Sequence, residues 1–352
     1  MKIPFLDLKA QYNSIKDEVL PAINDVLENT AYVLGKPVQQ FEDNFAKEHN
    51  AAHCIGVGTG TAGNHMVLWA LGLKRGDEVI IPANTFIATA WGATLCGATP
   101  VFVDCEPDSY NIDPSKIVSA ITKKTKAIVA VHLYGQPADI DAIIEAMTND
   151  KWNYLDNGCF EHKFNGQKIY LVEDAAQAFM SEHKGKYLGT YGDIGCFSLS
   201  MAKLISTGQG GFIVTNSEEL NTRIRRMRTH GVSSTFEPER WNMKGGNFRY
   251  TDLQAAIGLQ QLSRINEKKK KCLELYLTYI QELNLVEDKI LPIKVEHSKG
   301  EIPIYNEFSC SSRENLINYL KKHGIEARPF YPAISTAAYI TGEKNARKKN
   351  VF

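Results

Sequence analysis

The chain reads as an α/β protein, with a large domain built on a mainly parallel sheet and a smaller α+β domain after it. Three observations predict this. From about residue 52 to 250, short β-rich runs alternate with helical patterns, as in successive βαβ units. Most of those runs are apolar throughout, as strands covered on both faces are. With 352 residues the chain can bury a sizeable core and is long enough for one large domain plus a smaller one.

Residues 1 to 50 are expected to form helices beside the sheet, including Lys16 to Leu27. Strands are expected at His53 to Val57, Glu78 to Ile81, Thr99 to Val103, Ala127 to His132, Ile169 to Val172, Gly195 to Leu199 and Gly211 to Thr215. Between them, Ala62 to Leu73, Phe86 to Cys96 and Asp139 to Met147 read as helices. The last follows the turn Gly135-Gln136-Pro137, which ends the preceding strand. A single long helix, Asp252 to Leu283, then leads into the small domain, so the expected division is 1–250 and 251–352. Lys268 to Lys271 on that helix read as a solvated face. No internal repeat or low-complexity linker interrupts the pattern.

The 40 Lys plus Arg balance 40 Asp plus Glu, so no global field favours nucleic acid or an anionic membrane, and neither is expected as a partner. Seven cysteines (Cys54, Cys96, Cys105, Cys159, Cys196, Cys272, Cys310) form no C-x-x-C pair. An odd, scattered set fits free thiols in a reducing compartment, and the expected location is cytoplasmic. The opening Met1-Lys2-Ile3-Pro4-Phe5-Leu6-Asp7-Leu8-Lys9 resembles neither a secretory segment nor a membrane span, and no later segment is apolar for long enough to span.

The chemistry concentrates around Lys203. This lysine stands between an apolar strand-like segment and the glycine cluster Gly208-Gln209-Gly210-Gly211, with Glu173-Asp174-Ala175-Ala176-Gln177 upstream. A lysine that joins an aldehyde, and an acid that keeps a pyridine nitrogen protonated, are the two requirements of a pyridoxal phosphate site. Asp174 follows the apolar strand Ile169 to Val172, and a buried carboxylate there needs a partner such as a protonated pyridine. Gly58-Thr59-Gly60-Thr61-Ala62-Gly63 follows a strand and opens a helix, where backbone N–H groups and the Thr61 hydroxyl can cradle a phosphate. Phe86, just after a strand, can stack on a flat ring. Ser198 adds a hydroxyl, and Asn247 in a glycine-led loop can donate to an anion. Singly, each has a plainer explanation: a bare turn, a core phenylalanine, a helix cap, a surface lysine. The glycine turn also matches a dinucleotide fingerprint, but Asp77-Glu78 precede the next strand instead of ending it, which weakens a nicotinamide reading.

Together, Gly58 to Ala62, Pro82 to Thr89, Val131 to Asp139, Glu173 to Gln177, Phe197 to Gly211 and Gly246 to Gly258 resemble the ordered motifs of the DegT/DnrJ/EryC1/StrS nucleotide-sugar aminotransferases. The resemblance runs through about residues 3 to 340. It implies the pyridoxal-phosphate-dependent transferase fold of type I, as in aspartate aminotransferase, in a homodimer with shared active sites. It implies Lys203 as the Schiff-base lysine, Asp174 facing the ring nitrogen, Gln177 the ring hydroxyl and Phe86 stacking. Gly60, Thr61, Ala62 and Ser198 then hold the phosphate, with Asn247 reaching it from the second subunit, and Tyr331 is a substrate contact. Family members with histidine at the lysine position are dehydratases, so Lys203 implies amination. The stretch Lys203 to Gly211 resembles that of members aminating C4 of a nucleotide-linked 4-keto-6-deoxyhexose, with L-glutamate as donor. Amination at C3, a nicotinamide-dependent sugar oxidoreductase and a non-catalytic regulatory member are the alternatives. Two departures stand out: Asn149 to Gln167 is longer than the resemblance implies, a surface β-excursion or part of an interface, and the chain is short at Val351-Phe352.

Overall fold

A computed structural model of the protein describes residues 2–148, 153–154, 160–161, 163–233, 241–283 and 290–341. Its central sheet has seven strands: β1 (His53–Val57), β2 (Glu78–Pro82), β3 (Thr99–Val103), β4 (Thr125–Val131), β5 (Tyr170–Asp174), β6 (Ile194–Ser198) and β7 (Gly211–Thr215). Their spatial order is β1-β7-β6-β5-β4-β2-β3. Only β7 runs against the rest, antiparallel to both β1 and β6, so the sheet is mainly parallel as expected. Strand β5 continues past Val172, pairing Glu173 with Ala130 and Gly195, and Asp174 with Val131 and Cys196. That extension draws both acids into the sheet. Strand β4, by contrast, stops at Val131, one residue short of the expected His132.

Helices α1 (Leu8–Glu28) and α2 (Lys36–Glu48) precede the sheet, and α3 (Gly60–Ala70), α4 (Ile87–Leu95), α5 (Ile140–Met147) and α6 (Glu218–Arg228) are threaded through it. Strands β1, β2 and β4 thus each feed a helix, and apolar residues fill both faces. Ile55, Val129 and Ile213 pack with Met66 and Leu68 of α3. Ile80, Ile128 and Leu171 pack with Ile143 and Ile144 of α5. A third cluster joins Phe41 and Phe45 of α2 to Phe197, Phe212 and Tyr250.

Edge strand β1 is closed by one backbone bridge, Val57 to Arg249, and otherwise by charge. The buried Glu42 of α2 accepts from the Gly56 N–H at 2.8 Å and from Arg228 and Arg225 of α6 at 2.5 and 2.7 Å. The two arginines donate in turn to the Gly56 and Cys54 carbonyls, at 2.9 and 3.0 Å. These bonds occupy backbone groups that would otherwise template another strand.

The expected single helix Asp252 to Leu283 is two helices, α7 (Asp252–Leu262) and α8 (Ile265–Leu283). The break falls at Ser263-Arg264, where the Ser263 hydroxyl donates to the Gln260 carbonyl at 2.8 Å. A serine that bonds back into the preceding turn favours a bend over continuation. The lysine run on α8 is not uniformly solvated either. Lys268 reaches inward to the Leu204 carbonyl at 3.3 Å and to Gln261 Oε1 at 2.5 Å, while Lys270 and Lys271 are exposed.

Beyond α8, β8 (Ile290–Pro292) pairs antiparallel with β9 (Phe308–Cys310), and α9 (Arg313–Lys322) follows. Ile3 bridges to Ile325, tying the start of the chain to this part. Of the long segment 149–167, residues 153–154 pair with 160–161, 163–164 pair with 167–168, and Phe164 packs on the core. Residues 149–152, Trp152 among them, 155–159 and 162 of that excursion, and the last residues of the chain, lie outside the described residues. Among the described residues, no helix is long and apolar enough to cross a membrane.

Candidate active site

The carboxyl ends of the parallel strands face one cleft, the usual place for a ligand in an open α/β sheet. Val57 of β1 leads into α3, Pro82 of β2 leads to Phe86, and β5 and β6 end on Asp174 and Ser198. Sheet order brings residues far apart in sequence to the same rim.

Asp174 is buried. Its Oδ2 accepts from Asn64 Nδ2 of α3 at 2.9 Å and from Thr89 Oγ1 of α4 at 2.7 Å, and its Oδ1 accepts from the Ala176 N–H at 3.2 Å. Two helices therefore orient this carboxylate. Its neighbour Glu173, also fully buried, does different work. Glu173 Oε2 accepts from His132 Nε2 at 2.9 Å and from the Gly189 N–H at 2.7 Å, and Oε1 accepts from the Gly192 N–H at 2.6 Å. The Ala138 N–H donates to His132 Nδ1 at 3.1 Å, which places the imidazole proton on Nε2, towards Glu173. Burial pushes the Glu173 carboxyl up, but His132 and the two glycine N–H groups outweigh it, and the group ends below its ordinary range. Glu173 thus fastens the end of β4 to the 189–192 loop beneath Asp174.

Gln177 Oε1 accepts from the Tyr134 N–H at 3.0 Å, which leaves the side-chain amide nitrogen as a donor. Gln177, Ser198 and Lys203 line one cavity, whose apolar wall includes Phe179, Leu199 and Ile304. Gly60 begins α3 hard against Ser198: a Cβ on Gly60 would lie 2.8 Å from Ser198 Cβ. Only glycine lets that helix start approach the serine. Thr59 caps α3 and takes the Ala62 N–H at 2.9 Å, so the expected Ala62 donor is already engaged. The N–H groups of Gly60 and Thr61, in the same first turn, have no partner within a helix.

Lys203 is half-buried, and its Nζ donates to Tyr305 Oη at 3.1 Å. Burial lowers its amine from the ordinary lysine value to about 8, against the opposing pull of the Asp174 charge and Tyr331. The loop that carries it is anchored from below. The Ser206 N–H donates to Gln261 Oε1 at 3.1 Å, Gln261 Nε2 donates to the Ser206 carbonyl, and Gln254 Nε2 donates to the Gln209 carbonyl at 2.8 Å.

Phe86 and Tyr331 are exposed neighbours, their ring centroids 4.9 Å apart, and Phe330 joins Tyr331 to Tyr134. Asn247 is exposed, with its amide oxygen held by Arg249 Nε at 2.9 Å. Among the described residues, no hydrogen bond links Asn247 to Ser198, Thr61 or Lys203 of the same chain. Sequence reasoning missed Asn64, Thr89, Tyr305, Gln261 and the His132–Glu173 pair. None of them had a local signal, because each takes its role from a partner distant in the sequence.

This donor set fits pyridoxal phosphate. An oriented buried carboxylate, a half-buried lysine with a depressed pKa, and a helix start pressed onto a serine are what its pyridine, its aldehyde and its phosphate require. Glu78, by contrast, begins β2, at the end of the strand remote from a dinucleotide's ribose. Fold and site together define a pyridoxal-phosphate-dependent aminotransferase of fold type I.

The model of the DegT/DnrJ/EryC1/StrS aminotransferase family matches residues 13–156 and 159–351. The chain belongs to that family, a family of nucleotide-sugar aminotransferases. It is 34% identical to a "pleiotropic regulatory protein" of Geobacillus stearothermophilus, covering 94% of this chain and 84% of that one. It is 35% identical to the GDP-perosamine synthase of Escherichia coli O157:H7 (90% and 83% covered). It is 36% identical to the UDP-2-acetamido-2-deoxy-3-oxo-D-glucuronate aminotransferase of Pseudomonas aeruginosa (94% and 86%). Among solved structures, S. venezuelae DesV with a ketimine intermediate superposes with a TM-score of 0.86 at 31% identity, covering 97% of this chain and 87% of that one.

Proposed function

We propose that the protein moves an amino group from L-glutamate to the 4-keto carbon of a nucleotide-linked 4-keto-6-deoxyhexose, giving a 4-amino-4,6-dideoxy sugar nucleotide. The observation that carries this reading is geometric: Lys203, its amine lowered to about 8 by burial, stands on the same rim as the buried Asp174, which Asn64 and Thr89 orient at 2.9 and 2.7 Å. Such an amine exchanges protons readily at neutral pH. When bound, the cofactor supplies an electron sink for the carbon that loses or gains the proton.

Lys203 would hold the cofactor's aldehyde, and its amine would move both the proton that leaves the donor's Cα and the one that the sugar carbon gains. Asp174, oriented by Asn64 and Thr89, would hold the ring nitrogen and keep it protonated. Gln177 would donate to the ring hydroxyl, and Phe86 would offer its face to the ring. Gly60, Thr61 and Ser198 hold the phosphate, with Ala62 in the same helical turn. Asn247 reaches the phosphate from the second subunit of a homodimer, and Tyr331, beside Phe86, meets the sugar nucleotide. Exposed apolar side chains at Tyr32, Val33 and Leu34, and at Trp91 and Leu95, support such a dimer. The two-part division at residues 250 and 251 and the cytoplasmic location belong to the same proposal; the six described cysteines are all free.

The 4-position rests on the resemblance of Lys203 to Gly211 to the lysine segment of C4 enzymes. Amination at C3 is the second reading, because a 3-oxo sugar aminotransferase is as similar to this chain as GDP-perosamine synthase is. A panel of nucleotide-linked 3-keto and 4-keto sugars, incubated with L-glutamate and the cofactor and read by NMR of the product, separates them. Amination at C4 supports the proposal, and amination at C3 alone replaces it. The Lys203→Ala variant is expected to fold and to lose transamination altogether.

A further inference from the structure

We propose that Tyr305 is a positioning residue for Lys203, its phenol holding the lysine amine in the cleft whenever that amine is not joined to a carbonyl. This rests on the reading of Lys203 as the lysine that carries the cofactor. Tyr305 Oη lies 3.1 Å from Lys203 Nζ, and the amine is 5.5 Å from the centroid of the tyrosine ring. The hydroxyl is therefore the closer contact, with the ring at the outer limit of a cation–π interaction.

Tyr305 is delivered by a strap pinned on both sides. Upstream, the Ile302 N–H donates to Ser181 Oγ at 3.1 Å, and the Ile302 carbonyl occupies the space where a Cβ on Gly135 would stand, only 1.9 Å from that position. Gly135 has φ +85°, so no other residue is comfortable at that contact. Downstream, the Ile293 N–H donates to the Glu307 carbonyl at 2.9 Å, joining the strap to β8 and β9. Ile304 packs on the core cluster behind Lys203 and lines the same cavity. A side chain supported in this way is placed, not merely nearby.

The chemistry of the phenol restricts its role. Burial raises its pKa far above neutrality, with the charge of Glu307 adding to the effect, so the hydroxyl keeps its proton and cannot serve as the base. It accepts from the charged lysine amine more strongly than it donates to the neutral one, because a hydrogen bond to a charged partner is the stronger. A hydrogen bond to the charged form favours that form, so Tyr305 partly offsets the burial that depresses Lys203. Removing the hydroxyl while keeping the ring is expected to lower the Lys203 pKa by about one unit.

The test uses the full chain without added cofactor, wild type against Tyr305→Phe. Competitive acetylation by acetic anhydride over a pH series, read by mass spectrometry, gives an apparent pKa for each lysine. The expected result is a downward shift of about one unit at Lys203 and none at Lys268, another lysine whose pKa is lowered to about 8. An unchanged Lys203 overturns the proposal, and so does an equal shift at both lysines, which marks a general loosening. Tyr305→Leu is expected to repeat the shift. The reciprocal variant Lys203→Met serves if neither Tyr305 variant folds, because ring NMR of isotope-labelled tyrosine must then show a displaced Tyr305 signal; an unmoved signal contradicts the contact. Failure of the underlying reading looks different: wild-type protein forms no absorbing adduct with pyridoxal phosphate, whatever the acetylation shows.

Discussion

Lys203 combines two demands that conflict in water, a charge that can be held and a lone pair that can attack. Burial resolves the conflict by lowering its pKa to about 8, with Asp174 and Tyr331 pulling the other way. The neutral amine is the form that joins a carbonyl, and it predominates above that pKa. The rate at which the unloaded protein takes up pyridoxal phosphate is therefore expected to rise with pH through about 8 and then level off. Stopped-flow absorbance checks this; a rate still climbing towards the ordinary lysine range denies the depressed pKa. Asn64→Ala removes a hydrogen bond to a charged group and leaves part of a buried carboxylate unserved. A stability loss of about 2 kcal/mol is expected in urea denaturation, with weaker cofactor binding alongside. Lys203, Asp174, Gln177 and Ser198 could be singled out in the sequence because each stands in a short run between a strand and a loop, and the sheet brings them to one rim. Asn64 and Tyr305 could not, because their partners lie 110 and 102 residues away and only the packed sheet brings them together.

Helices and strands were read well where hydrophobic pattern decides them, and poorly where a single polar contact does. The seven sheet strands are short apolar runs between turn residues, and all seven form. The break between α7 and α8 has no proline or glycine to announce it, only Ser263 bonding back to Gln260. Lys268 likewise sits in a lysine run that looks solvated, and its inward turn depends on Gln261 and the Leu204 carbonyl. The closure of edge strand β1 also escaped the sequence, since Glu42 is 183 residues from Arg225 and 186 from Arg228. Glu42→Ala strips the counter-charge from a buried arginine and frees the Gly56 N–H. A loss of about 3–5 kcal/mol is expected in denaturant unfolding. A loss below about 1 kcal/mol, the worth of an exposed pair, would show that the network is not structural.

The molecule as a whole is a sheet that gathers one site from the ends of its parallel strands, with a strap from the C-terminal part closing over the lysine. The proposed homodimer adds Asn247 from a second chain, and symmetry makes that claim testable. In a mixture of Lys203→Ala and Asn247→Ala subunits, half the dimers are mixed, and each mixed dimer has one intact site only if Asn247 acts across the interface. Restoration of about a quarter of wild-type activity is then expected after subunit exchange. No restoration above the Asn247→Ala level places that residue's role within its own chain. The central claim, that Lys203 and Asp174 form a working transamination site, is tested most directly by the visible spectrum of the protein loaded with pyridoxal phosphate, before and after L-glutamate. A yellow colour that bleaches on glutamate is the predicted result; a colour that persists, or none at all, contradicts it.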